Sequence, residues 1–517
     1  MKYLVLLTLN IFLFWSCSGG PTTDNQPVTL AQNLNPQPQP ATSLKAKEAW
    51  QAEQIFYHVW MRSFSDSNND GIGDFRGLTA KLDYLEKELG VTALWLSPFF
   101  ENASGLSNLH GYDVTNHFRV DPRFGTLEDV KSFLTQAHDR GIRVIFDFVP
   151  NHVSNKHPWF IESAKGPQSP LRDWFWWEEK RPSGWTGWDD KSDFYPLGNS
   201  YYYGVFWVGM PDLNYNNPEV VQAMDNAALY WLNLGFDGIR MDAVKYLVED
   251  RSTDGSGYKD QPKTFQYFQN FRKRVLDPYT ELGYAKFMVA ENWESDYDNL
   301  MDYMVDLEGN KGFQMTFDFP LVNKIKEDVK STGSSGASIL EHWENFTNYV
   351  PKGAWLGTFL SNHDNVISRP ATEYDSIDQA KLAATILLLG PGTPFIYYGN
   401  EVGMEGQVGQ DVNLRTPMDW EAWSAQRTDP QSIFTRHREM IQLRKSRPSM
   451  LKGTVEPVRG LGENLLSFSR TWNGERTLVI INLGEKSTTV IPPQGGDPLS
   501  VEPFSPLVID WPLNSTE

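Results

Sequence analysis

From Gln54 onward, short apolar runs of strand character alternate with amphipathic stretches of helical period, and this happens eight times. The strand-like runs are "IFYHVWMRSF", "VTALWLSP", "IRVIFDFVP", "FDGIRMDAV", "KFMVAENW", "MTFDFP", "WLGTFLSNHD" and "TPFIYYGNE". Between the first two, "LTAKLDYLEKELG" sets Leu78, Leu82, Leu85 and Leu89 on one helical face and stops at Gly90. "VKSFLTQAHDRG" and residues 218–234 read as helices in the same way. Eight alternating units predict an α/β chain closed into a parallel (β/α)8 TIM barrel.

Two stretches break the rhythm. Residues 153–215 follow the third strand and are too long for a simple loop, so a small inserted subdomain is expected there. After the last barrel helix, "LLSFSRTW" and "ERTLVIINLG" alternate with period two around Asn473-Gly474, a hairpin signal. The expected organisation is a barrel in two parts, 50–152 and 216–450, the insert at 153–215, and a C-terminal antiparallel β-sandwich domain over 451–517.

Upstream, "MKYLVLLTLNIFLFWSCSGG" has one lysine and then an apolar stretch shorter than the ~20 residues that span a bilayer, as in a secretory signal. The only cysteine, Cys17, stands where a bacterial lipoprotein signal over 1–17 would carry its lipid, with Ser16 before it; plain cleavage there is the alternative. The expectation is an exported protein whose only link to the membrane is a lipid anchor, periplasmic or at the cell surface, or otherwise secreted. Residues 18–49, rich in Pro, Gln and Asn up to Lys47, read as a flexible tether. A formal charge of −19 argues against a nucleic-acid partner. Nineteen tryptophans are unusual, and flat aromatic faces suit sugar rings, although most of them belong in the core.

Charges inside the buried strands narrow the chemistry. Arg240 and Asp242, two apart in "GFDGIRMDAVKYL", point to the same face of a segment that should be dry. Burying charge is costly unless it is paired. Barrel chemistry sits at the C-terminal strand ends. Those ends carry Asp147, Asn151 and His152 on the third strand, Arg240 and Asp242 on the fourth, Glu291 on the fifth, and His363 and Asp364 on the seventh. Any one of these alone could be a structural ion pair; together they describe a carboxylate site.

The motifs "DFVPNH", "GIRMDAVKY", "AEN" and "SNHD", with "HGYDVTN", "MPDLN" and "GTPFIYYGNE", resemble the α-amylase superfamily of glycoside hydrolases from Gln54 onward. The resemblance implies a retaining hydrolase of α-glucosidic bonds with Asp242 as nucleophile, Glu291 as acid/base and Asp364 as a third essential carboxylate. It further implies that His152 and His363 bond sugar hydroxyls, that Tyr112 lies under the ring, and that Lys245 and Tyr246 face the leaving group. Asp147 is expected to support Arg240. Physically, an adjacent arginine lowers an aspartate pKa by roughly 1–3 units, so Arg240 is expected to hold Asp242 ionised, while nearby carboxylates keep Glu291 protonated.

In "DSNNDGIGDFRG", Asp66, Asn68, Asp70 and Asp74 with the Ile72 carbonyl offer oxygens around Gly71, the chemistry of a structural Ca²⁺ loop; a solvated Asx-turn is the alternative. The twelfth position is Gly77 rather than a glutamate, which excludes an EF-hand. By family analogy a further calcium lies near Asn151. The leading expectation is an endo-acting α-amylase on starch, glycogen or maltodextrins. Neopullulanase or cyclomaltodextrinase action, an oligo-1,6-glucosidase-like α-glucosidase, a transglycosylase and a non-catalytic starch-binding protein are the alternatives.

Overall fold

The computed structural model describes residues 34–38, 43–105, 110–182, 193–250, 257–294, 297–304, 311–331, 333–351, 353–364, 366–493 and 495–511. Cys17 and the signal segment lie outside them. Among the described residues no helix is long and apolar enough to cross a membrane.

Eight strands close a parallel barrel: β1 (Phe56–Val59), β2 (Ala93–Leu96), β3 (Arg143–Phe148), β4 (Gly238–Met241), β5 (Phe287–Ala290), β6 (Met315–Phe317), β7 (Trp355–Thr358) and β8 (Thr393–Tyr397). Each pairs with its sequence neighbours, and β1 closes on β8 through Phe56↔Phe395. The floor of the barrel is aromatic. Phe56 stacks on Phe395 at 4.4 Å, and Trp50 meets Phe287 edge-on at 5.6 Å.

The inward ladder of β4 explains how charges enter this apolar interior. Gly238 lies in the floor layer, where a Cβ would stand 2.5 Å from the Phe287 carbonyl oxygen and 3.0 Å from Ile145. The next inward residue is Arg240, followed at the mouth by Asp242, in keeping with the period of two. The missing side chain at 238 lets Ile145 and Phe287 fill the floor, and the guanidinium sits above them.

The covering helices carry the expected punctuation. Leu127–Asp139 starts with a capping box between Thr126 and Asp129. Pro218–Leu234 is capped by Asn217 and stops at Gly235. The leucines at 78, 82, 85 and 89 are all buried, but their segment splits into an α-helix, Phe75–Ala80, and a π-helix, Tyr84–Leu89, that ends at Gly90 with φ 94°.

Two excursions leave the barrel before β4. Phe100–Asn102 and Val114–Val120 pair after β2, a hairpin the sequence rhythm did not reveal. The insert after β3 carries a three-stranded antiparallel sheet, with Ser200–Tyr203 between Trp177–Glu178 and Phe194–Leu197. At the C-terminus, Thr454–Pro457, Leu465–Trp472, Glu475–Asn482 and Pro506–Asp510 form an antiparallel sheet beside the pair Thr488–Val490 and Leu499–Val501. The hairpin turns at Asn473 and Gly474, both at positive φ, as Asn-Gly requires.

The reading of 18–49 as a free tether fails over its described part. Leu34 N–H donates to Asn226 at 3.2 Å and Gln37 N–H to Asn233 at 2.5 Å, along the helix 218–234. Further on, Ala46 bridges to Tyr284, and Trp50 donates to the Ala285 carbonyl at 3.0 Å. Low hydrophobicity hid this, because the docking is made mostly by backbone polar groups.

Candidate active site

One guanidinium organises the mouth. Arg240, only 1% exposed, places Nη1 at 2.7 Å from both Asp147 Oδ1 and Asp242 Oδ1, and Nη2 at 2.5 Å from Glu291 Oε1. Asp147 therefore supports Arg240. The bridge on one fork is compatible with the short carboxyl separation, about 5–5.5 Å, of retaining glycosidases.

Glu291 is fixed by two more donors. Its Oε2 accepts the Ala243 N–H at 3.0 Å and its Oε1 the indole N–H of Trp293 at 2.9 Å. Ala243 reaches it from a left-handed conformation, φ 51° and ψ 37°, which costs a non-glycine residue roughly 1–3 kcal/mol. Asp242 and Glu291 are thus tied through the backbone as well as through Arg240.

Across the cavity, His363 Nε2 lies 3.3 Å from Asp364 Oδ1 and hydrogen-bonds the Tyr112 hydroxyl, which also donates to Asp147 at 3.1 Å. A second cation, Arg415, stands 3.6 Å from Asp364, and its Nε donates to the His363 carbonyl at 2.9 Å. Burial holds His363 well below its ordinary pKa and brings His152 down to about 3, so both are neutral hydrogen-bonding groups. His152 lines the cavity, and its buried Nε2 has no protein hydrogen-bond partner.

Four carboxylates face two guanidiniums, and burial raises Asp147, Asp242 and Asp364. Burial and then Glu291 push Asp364 up to about 8, and burial brings Asp147 to about 7 against the pull of Arg240. Asp242 is also raised, by burial first and Glu291 second, with Arg240 opposing. Arg240 pulls Asp242 down as expected, but burial and Glu291 outweigh that pull. Each carboxylate feels the guanidinium in full; at Asp242 loss of water and the neighbouring carboxylates are the larger effect.

Asp242, Glu291, Asp364, Tyr112 and His152 line one open cavity of about 440 Å³. Lys245 and Tyr246 do not. The Lys245 ammonium is engaged by Glu294 and Asp260, and the Tyr246 ring packs against Phe206 beneath the insert. The tryptophans at 174 and 177 are structural: Trp174 is buried and Trp177 stacks on Phe160. Trp185 and Trp188 lie outside the described residues. The indoles on the cavity wall are Trp207, 48% exposed, and Trp293, 36% exposed. Sequence reasoning missed both, along with Arg415, because all three sit in irregular segments without periodicity.

The metal expectations separate. In the 66–74 loop, Asp66 accepts the Asn68, Asn69 and Gly71 N–H groups, Asp70 accepts that of Ile72, and Asp74 caps the following helix at Gly77. Among the described residues no group of three or more His, Cys, Asp or Glu is placed to hold a metal ion. Near Asn151 the donor set is different. Asn151 Oδ1, Asp212 Oδ2 and Glu249 Oε1 are buried oxygens without a hydrogen-bond partner, between barrel and insert. Burial pushes the Asp212 and Glu249 carboxyls well up. Two carboxyls and an amide oxygen are hard donors that fit Ca²⁺.

A closed (β/α)8 barrel with a carboxylate cluster at its C-terminal mouth defines a glycosidase-type enzyme. The Alpha amylase, catalytic domain family matches residues 58–453, and the chain belongs to that family. It is 33% identical over 472 residues to Alpha-amylase 3 of Dictyoglomus thermophilum, with 86% of this chain and 87% of the relative covered. A trehalose synthase of Pimelobacter sp. is 32% identical over 517 residues, covering 84% and 86%. Among solved structures, the alpha-amylase from H.orenii superposes with a TM-score of 0.76 at 29% identity, over 89% of this chain and 99% of that one.

Proposed function

We propose that the protein is an endo-acting α-amylase that cleaves internal α-1,4 bonds of starch, glycogen or maltodextrins with retention. The observation that supports this best is the Arg240 fork joining Asp242 and Glu291 on the floor of an open cavity. Asp242 attacks the anomeric carbon while Glu291 gives its proton to the departing glycosidic oxygen. Glu291 then takes a proton from water, whose oxygen attacks the same carbon and releases Asp242. Asp364, His363 and His152 hold hydroxyls of the reacting ring, and Tyr112 lies beneath it. Exposed indoles on the cavity wall suit a polymer that continues past the cleaved bond. Proton NMR of early products is expected to show the α-anomer first, and starch viscosity to fall before much reducing sugar accumulates. The β-anomer first would overturn the mechanism; glucose as the only early product would overturn internal cleavage.

The trehalose synthase relatives favour one second reading, transfer of the glucosyl unit to a sugar acceptor instead of water. A new disaccharide formed from maltose, in place of glucose, would identify it.

The oxygen set of Asn151, Asp212 and Glu249 supports a structural Ca²⁺ between barrel and insert. Bound to the folded state only, it would stabilise by about 2.7 kcal/mol at a hundredfold excess over Kd. Chelation is expected to lower Tm by several degrees. Asp212→Asn should reproduce that loss without chelator, and Asp70→Ala should do so only if the 66–74 loop is the site. An unchanged Tm in excess chelator, with no metal found by elemental analysis, would sink both.

A further inference from the structure

Resting on the reading that the cavity takes an α-glucan, we propose that Trp207, seated on Gly209, is a sugar-stacking platform on the insert rim that selects for long chains. The turn carrying it is pinned from three sides. Met210 N–H donates to the Trp207 carbonyl at 2.9 Å, Asn155 N–H to the Gly209 carbonyl at 2.9 Å, and the Tyr202 hydroxyl to the Val208 carbonyl at 2.6 Å. The indole itself lies on the Gly209 backbone. A Cβ there would stand 2.3 Å from Trp207 Cζ2, 2.5 Å from Cη2 and 2.7 Å from Cε2.

Gly209 is not among the residues at positive φ, so this glycine serves space and not backbone conformation. The indole is thereby held in place yet left 48% exposed, and Val208 beside it is 43% exposed. A large apolar face kept open on a pinned turn marks a binding surface. Its neighbours on the cavity wall identify the ligand class. His152 and Met210 share that wall, and Phe206, the preceding residue, packs its ring against His152 at 5.2 Å. An indole continuing the wall from a hydroxyl-binding histidine suits the apolar C–H face of a pyranose beyond the reacting ring. Such a contact is made equally in ground and transition states, so it should act on KM.

The test compares a long and a short substrate, maltoheptaose and an activated aryl maltoside. Trp207→Ala is expected to raise KM for maltoheptaose about tenfold more than KM for the maltoside, with Trp207→Phe recovering most of the difference. Gly209→Ala should reproduce the effect by displacing the indole. In the Trp207→Ala background the three atoms nearest the added methyl are gone, so Gly209→Ala should then cost little further. Equal KM changes for the two substrates, no change for either, or full additivity of Trp207→Ala and Gly209→Ala would overturn the platform. Failure of the parent protein to turn over either substrate, with no binding of maltoheptaose by the Asp242→Asn variant, would instead overturn the glucan reading beneath it.

Discussion

Replacing Asp242 with Asn is expected to lower kcat on maltooligosaccharides by on the order of 10⁵-fold, with Kd changed by less than about threefold. The substitution removes the attacking charge and little else. The amide oxygen can still accept from Arg240 Nη1, which also retains Asp147 at 2.7 Å. Glu291 keeps its Ala243 N–H and Trp293 indole donors, so the second carboxyl should stay in place. Single-turnover kinetics would give the rate, and titration calorimetry with maltoheptaose the affinity. Residual turnover above about one per cent of the parent, with α-anomer still formed first, would remove Asp242 from the nucleophile's role.

Glu291→Gln should divide substrates by their leaving groups. On starch the loss is expected to reach roughly 10²–10⁴-fold, because a sugar alkoxide cannot leave without a proton. An aryl maltoside with a good leaving group needs little protonation, so formation of its glycosyl-enzyme should slow by only about tenfold. Glutamine has one oxygen where Glu291 uses two, so it can keep either the Ala243 N–H or the Trp293 indole and Arg240 Nη2, and its amide NH₂ would face the donors of the other position. Some loss of positioning is therefore built into the variant. The discriminating quantity is the ratio between the two substrates, since misplacement alone would slow both alike. A burst of phenolate followed by slow turnover would show that the first step survived. Equal losses on starch and the aryl maltoside would show that Glu291 is not the acid.

Much of this site was legible in the chain because its parts obey local rules. Strand period two put Arg240 and Asp242 on one face, and the rule that barrel chemistry sits at strand ends picked out Glu291, His363 and Asp364. Arg415, Trp293 and Trp207 obey no period. They reach the mouth from irregular segments after β8, β5 and the insert sheet, and only the closed barrel brings them to one cavity. Lys245 and Tyr246 show the opposite case. They follow the nucleophile closely in sequence, yet the 3-10 turn Val244–Tyr246 carries Lys245 into ion pairs with Glu294 and Asp260 and Tyr246 under the insert. Proximity along the chain did not decide direction.

Hydrophobic period, turn residues and strand-end charges are short-range properties written residue by residue, and they determined the eightfold barrel, the hairpin at Asn473-Gly474 and the identity of the carboxylates. The balance of charge was decided only by the tertiary structure. Whether Arg240 serves one carboxylate or three depends on where β3 and β5 stand beside β4. How strongly burial raises Asp242 and Asp364 depends on what covers them. The docking of residues 34–38 and 46, and the meeting of Asn151 with Asp212 and Glu249, have the same origin. Polar contacts between distant segments leave no periodic trace, because each needs one partner at one distance and nothing from its neighbours in sequence.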